Sequence, residues 1–252
     1  MLQSYIKNLN TQYTSGKATE HSYRPLLKTL LGTLLPKLNI INEPKRQDCG
    51  APDYILTRAD LPIGFIETKD INDKDLKGKK SKNGNKEQFD RYKKSLTNLI
   101  FTDYLTFHFY RNEELLHSVT IAKVTDKGIT PLPENFNTFL TYIRNFGSFE
   151  PSGIAKAEDL VTLMAAKAQL LSKIIEKALN EDHTKGIQTD LTDQLTAFSN
   201  VLIHDISPKD FADMYAQTIT YGLFTARYHD PTLPTFSRQE AYQLLPASNP
   251  FL

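Results

Sequence analysis

Gly50-Ala51-Pro52-Asp53-Tyr54-Ile55-Leu56, followed after a short link by Ile63-Gly64-Phe65-Ile66-Glu67-Thr68-Lys69, is the stretch that decides the fold. Tyr54, Ile55 and Leu56 form an apolar run next to turn-forming residues, which predicts a strand. Residues 57–62 include Arg, Ala, Asp and Pro, the composition of a turn. Residues 63–69 predict a second strand. Side chains alternate across a strand, so Glu67 and Lys69 share a face. Asp53, at the start of the partner strand, reaches that same face. Two carboxylates and a lysine therefore converge at the end of a hairpin.

Charges placed this way are costly when half-buried and uncompensated. A divalent cation compensates them. Mg²⁺ takes oxygen ligands and retains several waters, so Asp53, Glu67 and a backbone carbonyl, that of Thr68 in the leading reading, are expected to hold it. Lys69 then serves to orient or deprotonate a water for attack on phosphorus. The competing reading is a hairpin with an exposed Glu-Lys pair, since an E-x-K pattern is common by chance. Asp53 after Pro52, upstream across the hairpin, favours the site.

Pro52-Asp53 with Glu67-Thr68-Lys69 resembles the PD-(D/E)xK motif of restriction-endonuclease-like nucleases. The likeness extends to Thr19-Glu20-His21-Ser22-Tyr23-Arg24, to Asn42-Glu43-Pro44-Lys45 and to Glu87-Gln88-Phe89-Asp90-Arg91-Tyr92. Together these are similar to the amino-terminal region of single-chain restriction-modification enzymes. In that family a nuclease is joined through a helical connector to an adenine-N6 DNA methyltransferase. The resemblance implies a Mg²⁺-dependent endonuclease acting on double-stranded DNA. It also implies a methyltransferase and a target-recognition domain beyond this sequence, because the motifs of neither occur here. It further implies that Glu20, on the second helix, contributes an acidic group to the catalytic centre. The bland reading of Glu20 is complementation of the helix dipole. Gln88 and Tyr92, one helical turn apart, match the Q-x-x-x-Y pair that many such nucleases carry beside the site.

The chain has 252 residues, enough for one large or two modest domains. A net charge of +1 carries no global signature of a nucleic-acid partner, so any such signal is local. The single Cys49 excludes an internal disulfide and suits a reducing compartment. Apolar runs stop short of membrane-spanning length and the N-terminus lacks a signal pattern, which together read as cytoplasmic.

Helical spacing marks residues 1–13 and 19–35, and residues 39–42 read as a strand. Residues 70–86 form a polar loop carrying Lys74, Lys77, Lys79, Lys80 and Lys82, with Asp73 and Asp75 offsetting part of the charge. It reads either as a solvated, mobile insertion or as a clamp on DNA phosphates beside the site. Residues 87–98 are helical. Residues 99–110 and 115–124 read as strands, with a hairpin turn at Arg111-Asn112-Glu113-Glu114, and helix returns from Phe136. This order predicts an α/β fold, a mixed sheet flanked by helices of the restriction-endonuclease type, over residues 1–147.

Past Gly147-Ser148-Phe149-Glu150-Pro151-Ser152-Gly153 strands disappear, and residues 153–252 predict an all-helical connector domain. A long helix covers 160–178, residues 181–190 read as a loop, and a second helix covers 191–203. Ser207 and Pro208 open a third helix that ends near His229, and Ser237 with Glu240 suggests a fourth. His204-Asp205 lacks the further ligands of an HD metal site. The apolar ending Phe251-Leu252 reads as the edge of a fragment, so an exposed apolar patch is expected in this half. The alternative function is a DNA-binding or docking module that keeps the nuclease fold without activity.

Overall fold

Leu2, Tyr5, Ile6 and Leu9 recur at helical spacing and bury one face of α1 (Leu2–Thr14). The structure, a computed structural model, describes residues 1–16, 18–42, 52–58, 61–80, 85–150 and 157–229, and of Glu20 the backbone alone. The expected Glu43-Pro44-Lys45 segment, Lys82 and the fourth helix near Ser237 lie outside those residues. Helix α2 (Glu20–Leu34) opens where Ser22 Oγ accepts from Thr19 N at 3.0 Å. Pro25 sits in its second turn, one residue after Arg24.

Six strands among the described residues form one mixed sheet: β1 (Asn39–Asn42), β2 (Tyr54–Arg58), β3 (Leu61–Thr68), β4 (Asn98–Thr102), β5 (Thr106–Arg111) and β6 (Glu114–Thr120). They follow one another across the sheet in chain order. Only the β3–β4 neighbours run parallel, joined through α3 (Lys86–Ser95). The predicted turn at residues 57–62 is shorter than its composition suggests. Thr57 pairs with Pro62 and Arg58 with Leu61, after a shift of register between Leu56 and Thr57. The irregularity accommodates a proline that has no N–H to give the ladder.

Two further boundaries moved. Leu96 ends α3, and Asn98 already belongs to β4. Residues 115–124 divide between β6 and a separate small hairpin, β7 (Ala122–Thr125) with β8 (Gly128–Pro131). The expected turn between β5 and β6 is present. Asn112 and Glu113 both take positive φ, 47° and 70°, as a two-residue hairpin link demands.

The sheet has two differently covered faces. Tyr54, Leu56, Ile66, Ile100, Phe107 and Phe109 share one core with α1, α2 and α4 (Phe136–Gly147). Gly64 belongs on this side because a Cβ there would stand 2.5 Å from Cζ of Phe146. On the other face α3 is fixed by Phe89 stacking on Phe101 of β4, with ring centroids 3.6 Å apart.

The chain divides into two compact units, the first running to Gly153 and the second from Ile154. The second is helical in its described part, with α5 (Ala157–Lys185), α6 (Asp190–Val201) and α7 (Pro208–His229). Helix α5 extends into the residues read as a loop at 181–190. Its own small core gathers Ile175, Leu179, Phe211, Ala212 and Ala216. Ser207 Oγ accepts from Asp210 N at 3.1 Å, capping α7 as its sequence predicts. Tyr221, Phe224 and Tyr228 on α7 are exposed. No helix among the described residues is long and apolar enough to cross a membrane.

Candidate active site

Glu67 and Thr68 are the last two residues of β3, and both are buried. Lys69 follows, and its N–H donates to Thr102 O at 2.9 Å, so the β3–β4 pairing continues past the strand end. Glu67 is in register with Phe101, which faces α3. The site therefore forms where a strand ends beneath a helix.

Four of the sequence-identified residues make one hydrogen-bonded group there. Lys69 Nζ donates to Glu67 Oε1 at 2.8 Å and to Gln88 Oε1 at 2.9 Å. Gln88 Nε2 donates to Glu67 Oε1 at 2.8 Å and to Tyr92 Oη at 3.3 Å. The Gln88 amide thus uses both ends, one on the cation and one on the anion. Lys69 Nζ also lies 5.7 Å from the ring centre of Phe89. Tyr92 is fully buried, and its phenol is held well above its ordinary pKa, first by burial and then by the charge of Glu67. Asp53 adds to that rise, so both carboxylates act on one hydroxyl.

Asp53 precedes β2 and lies beside the Glu67–Thr68 peptide. Its Oδ2 accepts from Thr68 N at 2.7 Å and from Thr68 Oγ1 at 2.5 Å. Its Oδ1 is 2.6 Å from Arg24 Nη2 on α2. The sequence includes Arg24 in the Thr19–Arg24 stretch of the resemblance but assigns it no role, since its partner is set by how α2 packs. Tyr54 Oη donates to Arg24 O at 2.8 Å, which fixes α2 against β2 at this point. The backbone of Glu20 lies one turn before Arg24 in α2; its side chain is outside the described part.

Mg²⁺ prefers oxygen ligands. Asp53 and Glu67 are two buried carboxylates flanking one peptide, and each already holds a cation, the buried Arg24 and the half-buried Lys69 respectively. Among the described residues no group of three His, Cys, Asp or Glu stands ready to hold a metal. Two carboxylates and the Thr68 carbonyl, with water or phosphate completing the shell, nevertheless suit Mg²⁺.

The described part of the lysine loop, residues 70–80 and 85–86, is held by its own aspartates. Buried Asp75 accepts from the N–H groups of Lys79 at 2.7 Å, Lys80 at 3.2 Å and Asn85 at 2.8 Å. Burial raises its carboxyl pKa, but these donors outweigh that and leave it below the ordinary value. Asp73 Oδ1 accepts from Asp75 N at 2.6 Å. The two aspartates read as charge offsets are turn builders. Gly78, at φ +62°, lies against Phe89; a Cβ there would meet Cδ2 at 2.7 Å. The loop is thereby seated on the ring that also neighbours Lys69. Lys74, Lys77, Lys79 and Lys80 remain exposed.

No protein-family model matches the chain, and no curated protein matches it. Among solved structures, a cryoEM structure of a DrdV–DNA complex aligns with 59% of this chain and 94% of that chain, at 21% identity and a TM-score of 0.42. A likeness this distant carries no argument about the chemistry here.

Proposed function

We propose that the first unit is a Mg²⁺-dependent endonuclease that hydrolyses phosphodiester bonds of double-stranded DNA. The observation that carries this reading is the pair of buried Glu67 and half-buried Lys69 at the end of β3, braced by Gln88 and adjacent to Asp53. Asp53, Glu67 and the Thr68 carbonyl would hold Mg²⁺. Bound there, the ion supplies charge that polarises a phosphate and acidifies water.

The chain's own groups do the rest. Lys69 orients the attacking water and offsets negative charge that grows on the phosphate. Gln88 fixes both partners of the Lys69–Glu67 pair, and Tyr92, kept protonated, fixes Gln88. Glu20 contributes an acidic group from the first turn of α2. Lys74, Lys77, Lys79 and Lys80, with Lys82, contact the DNA backbone and set affinity, without reading sequence. The PD-(D/E)xK resemblance supports placing this unit in a restriction-modification enzyme. The helical unit then serves as the connector to a methyltransferase and target-recognition domain.

The test is incubation of the full chain with supercoiled plasmid and Mg²⁺ or Mn²⁺. Nicked or linear DNA is expected, and EDTA abolishes it. DNA that is bound but left intact under every metal condition supports the inactive docking module instead.

A further inference from the structure

Both carboxylate oxygens of Asp53, a proposed metal ligand, are engaged by the protein. Oδ2 takes the Thr68 N–H and hydroxyl, and Oδ1 takes Arg24 Nη2 at 2.6 Å. Arg24 is itself buried, its side chain only 5% exposed, and α2 is pinned here by the Tyr54 hydroxyl. Resting on the reading of Asp53 as a metal ligand, we infer that Arg24 is a positioning residue of the site, whose guanidinium and a divalent cation compete for the Asp53 carboxylate.

The physical basis is charge and space. Mg²⁺–oxygen distances are about 2.1 Å. An ion at that distance from Asp53 comes close to a guanidinium already 2.6 Å from the same carboxylate. Like charges so near in a poorly screened interior repel strongly. The ion pair must lengthen or break for the metal to bind. The fraction of molecules with Asp53 released then scales the apparent metal affinity. Without metal, Arg24 compensates a carboxylate that would be costly to bury alone. It also holds the carboxylate against Thr68, at the site, so Asp53 is kept in place until the metal arrives.

This gives Arg24 two effects of opposite sign, which a merely structural residue lacks. Removing it lowers the stability of the metal-free protein and raises its affinity for metal. The experiment is isothermal titration of Mg²⁺ into the full-length chain, with thermal melting in parallel, for wild type, Asp53→Asn, Arg24→Met and Arg24→Gln. Asp53→Asn is expected to weaken Mg²⁺ binding at least tenfold. Arg24→Met is expected to melt about 6 °C or more below wild type without metal. It is also expected to bind Mg²⁺ about tenfold or more tightly, with a larger Mg²⁺-induced rise in Tm. Arg24→Gln retains a neutral donor to Asp53 and follows the same direction if Arg24→Met does not fold. Unchanged Mg²⁺ binding in Asp53→Asn overturns the metal reading itself. Weakened binding in Asp53→Asn, together with equal or weaker binding in the Arg24 variants, overturns only the competition.

Discussion

His108 shows what a single residue contributes to the face that carries the site. It lies in register with Phe101, which is in register with Glu67, and it is buried with Nδ1 at 2.5 Å from Ser118 Oγ. Burial first, and then the charge of Lys77, lower its pKa to about 4. The unfolded chain takes up this proton near the ordinary value of about 6.5. Between those values the unfolded state binds more protons, so stability falls as pH drops from about 6.5 to about 4 and is retained above. Melting temperatures across that range should fall more steeply for wild type than for His108→Gln. Equal slopes would show that His108 is not buried in its neutral form. The roles of His108 and Arg24 were not legible in the sequence, although Arg24 closes the Thr19–Arg24 stretch that carries the resemblance, because burial and pairing decide what each does. Glu67 with Lys69 was legible from strand alternation and Gln88 with Tyr92 from helical spacing, whereas the meeting of the two pairs was an expectation of the PD-(D/E)xK resemblance.

At the scale of elements, strand identity was easier to read than strand ends. The fully buried β4 lacks alternation, and Asp103 separates it from β5 by accepting from Thr106 N at 2.7 Å and Leu105 N at 3.2 Å. Composition cannot show that an aspartate will be used this way. The described part of the lysine loop makes the same point, since Asp75 gathers the N–H groups of Lys79, Lys80 and Asn85. Replacing Asp75 with Ala removes that acceptor and leaves several donors to find water. Tryptic cleavage at Lys77, Lys79 and Lys80 should become markedly faster in Asp75→Ala, while the rest of the first unit resists. A cleavage rate equal to wild type would mean that Asp75 does not hold the loop.

At the scale of the whole molecule, the mixed sheet and the later helices were legible from a change in period, from alternation to heptad-like spacing past residue 153. The separate hairpin β7–β8 was not, because its four-residue strands are too short to show a pattern. The proposed chemistry lies in the first unit, where the buried carboxylates of Asp53 and Glu67 and the amine of Lys69 lie at the end of β3. The central claim is that this constellation cleaves phosphodiester bonds, and Lys69 separates catalysis from binding most cleanly. Its removal leaves Asp53 and Glu67 in place, so metal is retained while charge stabilisation at the phosphate is lost. The decisive measurement is the rate of Mg²⁺-dependent plasmid cleavage by wild type and Lys69→Ala, with Mg²⁺ affinity measured on the same samples. Cleavage should fall on the order of 10²–10³-fold with metal still bound; cleavage by Lys69→Ala at the wild-type rate would contradict the assignment.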